Sequence, residues 1–316
     1  MAARLAATAL RGGPPLIHYR DYNTADAPPN LSLRLVADKR AVFERYAAHD
    51  AVVGMGEPYA AWLRSMRRRW PWGSNAVAGG PDGLRYAHVD RGRLVLGPDR
   101  GKSVVDTPGF EPRSVVFADP GTLVVQDRVG RIFARRRGWP PLGAQAGPPA
   151  AAVLPGGRLV VAARNARGGV SIRHADQPWG DLGGTGVHDT VSLLVGEQGI
   201  DAFAPAEAGL LHWHGRSGRF ALEVAPHRPA GTVAVAPGHA AFREAGMGRL
   251  VVLGERAGWS VVAVQEFDAT SDPALAVAPG DRPVLAVRDG DGRIAVLADG
   301  RRTVLPARIP GHHDRW

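Results

Sequence analysis

From about residue 75 onward one pattern recurs, and it limits the fold more than any other feature of the chain. A short run rich in valine, leucine and alanine is followed by a Pro-Gly turn, a second run, a glycine turn and a third run. The clearest copies are SVVFADPGTLVVQDRVGRIFAR from Ser114, AAVLPGGRLVVAARNARGGVSIRH from Ala151 and LAVAPGDRPVLAVRDGDGRIAVL from Leu275. Weaker copies begin near Ala76, Val191 and Thr232. Each run is strand-length and each turn is of the hairpin kind. Anchored on Pro81, Pro120, Pro155, Gly196, Pro237 and Pro279, the copies step by 39, 35, 41, 41 and 42 residues. That spacing is close to one four-stranded propeller blade. A unit this small cannot hide its own apolar face, so the units must stack and the stack must close. The repeat predicts an all-β fold, a β-propeller of about six short blades over residues 76–316, preceded by a segment of different character over residues 1–75. A strand near Leu16 to Tyr19 is expected to return and complete the last blade.

The chain has 316 residues, enough for a sizeable core without disulfides or a structural metal. It contains no cysteine, which excludes disulfide frameworks, thiolate zinc sites, iron-sulfur clusters and a cysteine nucleophile. A cytoplasmic setting is expected. Arg11 and Gly12 to Pro15 end the first apolar stretch after about six residues, so a frayed tail is expected there and not a signal sequence, and no segment approaches the roughly 18 apolar residues of a membrane helix. The formal charge of +9 invites a nucleic-acid reading. The cations are almost all arginines scattered through the repeats, however, and only Lys39 and Lys102 are lysines. The best local support for that reading is Arg67, Arg68 and Arg69 followed by Trp70 and Trp72.

Several motifs fail on spacing. Gly97 to Ser103 resembles a phosphate loop but has three residues between its glycines where four are needed, and β-branched residues and a proline follow instead of a helix. Gly183, Gly184 and Gly186 read as a loop, lacking the strand-to-helix context of a dinucleotide fingerprint. His212 and His214 flank Trp213 at strand spacing and share a face, but no carboxylate or third histidine stands at a recognisable distance, so an ordinary blade surface is expected and no metal. No nucleophile elbow is present, and neither lysine has the apolar context that lowers its pKa.

Residues 31–72 break the repeat and read as helical. Asp38 is a plausible N-cap, and Val42, Phe43 and Tyr46 fall on one face. A second helix is expected from Pro58, with Glu57 at its cap, running through Trp62 to the arginine cluster. Glu57 at a helix start feels the positive end of the helix, which keeps it ionised, while an aromatic pocket would push it the other way. Both a plain cap and an acid/base are open to it.

The stretch LSLRLVADKRAVFERYAAHDAVVGMGEPYAAWLRSM resembles the actinomycete Pictet-Spenglerases that build β-carbolines from tryptophan, the marinacarboline and kitasetaline type. The resemblance covers about the first 75 residues. It implies a homodimer without a cofactor, in which a glutamate serves as acid/base beside an arginine and a histidine. The matching positions are Glu57 as the catalytic residue and Arg34 and His49 for substrate. Tyr59, Trp62, Trp70 and Trp72 are candidates for walls around an indole. The implied reaction condenses a tryptophan amine with an aldehyde, closes the ring from the indole carbon and removes the indole proton.

A carbohydrate-binding propeller is the alternative. Trp139, Trp179, Trp213 and Trp259 are spaced about one blade apart, as the aromatic platforms of a repeated lectin would be. A scaffold whose face binds another protein is a third possibility.

Overall fold

The computed structural model describes residues 18–19, 33–47 and 68–69 and, apart from breaks of one to four residues, residues 75–308. Before the repeats lie β1 (His18–Tyr19), α1 (Leu33–Ala47) and β2 (Arg68–Arg69). The repeats then form six four-stranded antiparallel sheets.

Blade 1 comprises β3 (Asn75–Gly80), β4 (Gly83–Asp90), β5 (Arg93–Pro98) and β6 (Ser103–Val105). Blade 2 comprises β7 (Pro112–Asp119), β8 (Thr122–Asp127), β9 (Arg131–Arg135) and β10 (Pro141–Ala144). Blade 3 holds β11 (Ala150–Val153), β12 (Leu159–Arg164), β13 (Val170–His174) and β14 (Gly180–Gly183). Blade 4 holds β15 (Ser192–Gly196), β16 (Gly199–Ala206), β17 (Gly209–Arg216) and β18 (Arg219–Ala225). Blade 5 is β19 (Ala234–Ala236), β20 (His239–Arg243), β21 (Arg249–Gly254) and β22 (Ser260–Glu266), with a short 3-10 turn at Glu255–Ala257. Blade 6 is β23 (Ala274–Ala278), β24 (Arg282–Arg288), β25 (Arg293–Ala298) and β26 (Arg301–Arg308).

The innermost strands β3, β7, β11, β15, β19 and β23 neighbour one another in that order, and the blades form a ring, a six-bladed β-propeller. The turn anchors read from sequence, from Pro120 to Pro279, lie where the first strand of each blade turns into the second. The outer strand of each blade is the one that the three-run repeat did not show.

Every blade takes its four strands consecutively from the chain. Among the described residues the N-terminal strand, His18–Tyr19, does not return to the last blade as expected. His18 and Tyr19 pair with Arg69 and Arg68, so part of the arginine cluster is a strand and not the end of a helix. The helix α1 also begins five residues before Asp38, which lies exposed within it. Leu33 to Ala37 contains no helix breaker, and a cap worth about 1 kcal/mol does not stop propagation through such residues. Phe43 is buried as expected, whereas Val42 is 66% exposed.

Five apolar clusters each join two consecutive blades. Both faces of the inner strands are covered, so strict apolar-polar alternation is missing and runs such as Leu123, Val124 and Val125 are buried throughout. Val124 packs towards blade 3, while Leu123 and Val125 pack towards blade 1. Each such side chain contributes about 1.5–3 kcal/mol on leaving water.

A second repeat lies in the turn between the second and third strands. Asp127 Oδ1 accepts from the amides of Val129 (3.0 Å) and Arg131 (2.8 Å), while its Oδ2 accepts from Arg131 Nε at 2.6 Å. Asp289 does the same for Arg293, whose amide and Nε lie at 2.9 and 3.2 Å. Asn165 Oδ1 accepts from the amides of Arg167 and Gly169, and Glu244 pairs with Arg249. Scattered arginines thus serve local turns, which accounts for part of the basic composition without a nucleic-acid partner.

Candidate ligand-binding cleft

Blade 4 carries a buried cluster of polar side chains on its central hairpin. In that hairpin Asp201 lies opposite His214 and Phe203 opposite His212, and His212 in turn lies opposite Glu223 of β18. Strand alternation sends Trp213 to the other face, towards blade 3, and turns Phe203 and His212 towards blade 5.

Asp201, 2% exposed, holds both histidines through one oxygen. Its Oδ1 lies 2.7 Å from His212 Nε2 and 2.8 Å from His214 Nδ1. Arg216 Nε donates to His214 Nε2 at 2.7 Å. That donation places the proton of a neutral His214 on Nδ1, where it donates to Asp201. Burial pushes the Asp201 carboxyl up, but the hydrogen bonds and charge of His212 and His214 outweigh it and hold the group below the usual carboxylate range. The remaining nitrogen of His212, Nδ1, faces Glu223 Oε2 at 3.8 Å.

His212 forms part of a cleft of about 300 Å³ between blades 4 and 5. Phe203, Glu223 and His227 line it from blade 4, and Trp259 and Ser260 from blade 5. Phe203 stacks on His212 with centroids 4.6 Å apart and an interplanar angle of 6°. Trp259 stands across both rings, 4.9 Å from Phe203 and 5.5 Å from His212. Trp259 has φ of +60°, directly after Gly258 at +64°. A bulky residue in this region costs about 1–2 kcal/mol, so the turn holds the indole in the cleft against a local preference.

The other three tryptophans of the blade-like series do different work. Trp139 Nε1 donates to the Asp106 carbonyl at 3.0 Å, Trp179 Nε1 to Leu142 at 2.6 Å and Trp213 Nε1 to Leu182 at 2.9 Å. Each acceptor belongs to the outer strand of the preceding blade or to the residue just after it. These indoles are clamps between consecutive blades. Trp259, by contrast, has no hydrogen-bond acceptor for its indole N–H among the described residues.

A second cleft, of about 250 Å³, lies between blades 1 and 2 and is lined by Arg85, Tyr86, Phe117 and Arg135. The Tyr86 ring covers Gly97, where an added Cβ would come within 2.2 Å of it. The phosphate-loop-like stretch leads at Ser103 into the strand β6 and not into a helix, and Thr107 to Phe110 close a turn.

The residues singled out in the N-terminal segment are not assembled into a described site. Glu57, His49, Tyr59, Trp62, Trp70 and Trp72 lie outside the described residues. Arg34 sits in the first turn of α1, its side chain also outside them. His212 and His214 do share a face, as their spacing implied, but that face is an interior one and the missing carboxylate is Asp201. Eleven residues separate Asp201 from His212, a distance that looks unremarkable until the hairpin is folded at Gly209. No helix among the described residues is long and apolar enough to cross a membrane.

No family model matches the chain, and no curated protein does. Solved structures similar to it include Sqt1 of Saccharomyces cerevisiae, with 13% identity, a TM-score of 0.50, and 74% of this chain and 75% of that one covered. The SapL1 lectin in complex with alpha methyl fucoside has 11% identity and a TM-score of 0.51, with 76% and 97% covered. Likeness at these identities is a likeness of fold.

Proposed function

We propose that this propeller is a carbohydrate-binding module whose ligand sits in the cleft between blades 4 and 5. The observation that carries this reading is Trp259: it alone of the four blade-spaced tryptophans has no clamp bond among the described residues, and a left-handed turn holds it in a concave site beside ionisable groups. A sugar offers apolar C–H faces and many hydroxyls. The indole of Trp259, backed by the buried Phe203 ring, suits the first, and the Glu223 carboxylate and His212 Nδ1 suit the second through charge-assisted and neutral hydrogen bonds. SapL1, a lectin in complex with alpha methyl fucoside, is an example of a sugar held by a protein of similar fold. A single site is expected, because the other tryptophans of the series serve as clamps.

A glycan array followed by calorimetry on the best ligand tests this. Wild type should bind, and Trp259→Ala and Glu223→Gln should each weaken binding at least about tenfold while remaining folded. An array with no signal would remove the reading.

The second reading is the Pictet-Spengler condensation of L-tryptophan, or a derivative, with an aldehyde. What favours it is that α1 forms inside the segment that resembles the β-carboline synthases and carries Arg34 in its first turn. Under this reading Glu57 moves the protons, Arg34 holds the substrate carboxylate by a bidentate pair, and His49, Tyr59, Trp62 and Trp72 complete the pocket of a homodimer. Mixing the protein with L-tryptophan and phenylglyoxal, beside Glu57→Gln, tests it by mass spectrometry. β-Carboline from wild type but not from the variant supports it, and no product with no tryptophan binding removes it.

A further inference from the structure

We propose that Asp201, His212 and His214 form a binding site for a divalent transition-metal ion of the zinc class. One ligand atom from each of the three lies within 4.8 Å of the others. They stand on paired strands, β16 and β17, whose register fixes their separation. A zinc-class ion takes imidazole nitrogen and carboxylate oxygen at about 2.0–2.2 Å, which sets neighbouring ligand atoms roughly 3–3.5 Å apart. The present contacts of 2.7 and 2.8 Å to Asp201 Oδ1 must open by roughly half an ångström, and the histidine nitrogens, which lie within 4.8 Å of each other, must settle at the same separation. The second oxygen of this buried carboxylate has no hydrogen-bond partner among the described residues, so the group has further capacity to coordinate.

The proton bookkeeping favours the same assignment at His212. When Nε2 binds the ion, the ring proton moves to Nδ1, which faces Glu223 Oε2 at 3.8 Å. An outer carboxylate that receives the second N–H of a ligating histidine is the usual means of fixing its tautomer. At His214, binding through Nδ1 moves the proton to Nε2, where it meets the Arg216 donor at 2.7 Å. Arg216 is exposed at the end of β17 and must turn aside. Three protein ligands leave a fourth position on the side of His214, whose side chain is 25% exposed. The alternative occupant of the cluster is its own hydrogen-bond relay, closed and without an ion.

The site stands on its own geometry and not on the carbohydrate reading, and its test contains no sugar. The full chain, freed of metal by a chelator, is titrated with Zn²⁺ by calorimetry and with Co²⁺ by visible absorption. One ion per chain is expected, with the intense bands of a four-coordinate Co²⁺. His214→Ala, which keeps the Asp201–His212 bond, and Asp201→Asn should each weaken Zn²⁺ binding at least about 100-fold. The double variant His312→Ala/His313→Ala, which removes the paired histidines near the C-terminus, should bind as wild type does. Absence of saturable Zn²⁺ binding by wild type overturns the proposal. So does binding that persists unchanged in both site variants, each shown to be folded by circular dichroism, or binding that is lost in the His312/His313 variant.

Discussion

The interface between blades 3 and 4 and the one between blades 4 and 5 are built on the two faces of the same hairpin. On one face Trp213, fully buried, closes onto the Leu182 carbonyl. Gly184 passes so close that an added Cβ would come within 2.8 Å of the indole. On the other face His212 and Phe203 meet Trp259 across a cleft of about 300 Å³. The same residue type at similar sequence spacing is a clamp in one place and a wall in the other. What separates them is whether the preceding blade presents a carbonyl to the indole N–H. Period alone cannot assign a role to a repeated aromatic residue.

The largest effect should come from breaking the clamp. Trp213→Ala removes a fully buried side chain and should cost about 3–5 kcal/mol, read as a fall of roughly 5–10 °C in Tm. Asp201→Asn probes the cleft side of the same hairpin and should cost about 1.5–3 kcal/mol at neutral pH through loss of charge-assisted bonds. Its pH dependence has a definite sign. Because the folded Asp201 carboxyl is held below its usual value, its contribution is fully present above the unfolded value of about 4 and is lost as pH falls through the lower folded value. Denaturant titrations should therefore show the gap between wild type and the variant closing below about pH 4. A gap that widens in acid would contradict the assigned hydrogen bonds.

A smaller effect is expected at Trp179→Phe, about 1 kcal/mol, because the Leu142 carbonyl keeps a second donor in Arg173 at 2.7 Å. At Trp259→Gly, relief of the left-handed backbone, about 1–2 kcal/mol, offsets part of the lost packing of a half-buried indole, so Tm should fall clearly less than in Trp213→Ala while sugar binding is lost. A large fall in Tm there would make Trp259 a clamp like the others and erase the contrast.

The six-blade ring was legible in the chain because its cause is local and repeated. Turn prolines and glycines at near-constant spacing fix the hairpins, and runs such as those around Val124 and Val160 carry the apolar faces. The outer strands escaped the repeat because they are covered on one side only: β18 and β22 are largely exposed, and their pattern is correspondingly loose. The start of α1 was misplaced because a capping preference is weak beside uninterrupted helix formers. Of the cleft, the shared face of His212 and His214 could be read from strand alternation.

Asp201 could not be read in that way, nor could the division of the tryptophans into clamps and wall. Sequence by itself determined what depends on neighbours along the chain: hairpin turns, strand alternation and a repeat that must close on itself. Tertiary structure decided what depends on partners across hairpins and between blades. A carboxylate becomes the partner of two histidines only when the hairpin register brings their atoms within hydrogen-bond range. An indole N–H becomes a clamp only when the preceding blade supplies a carbonyl at that point.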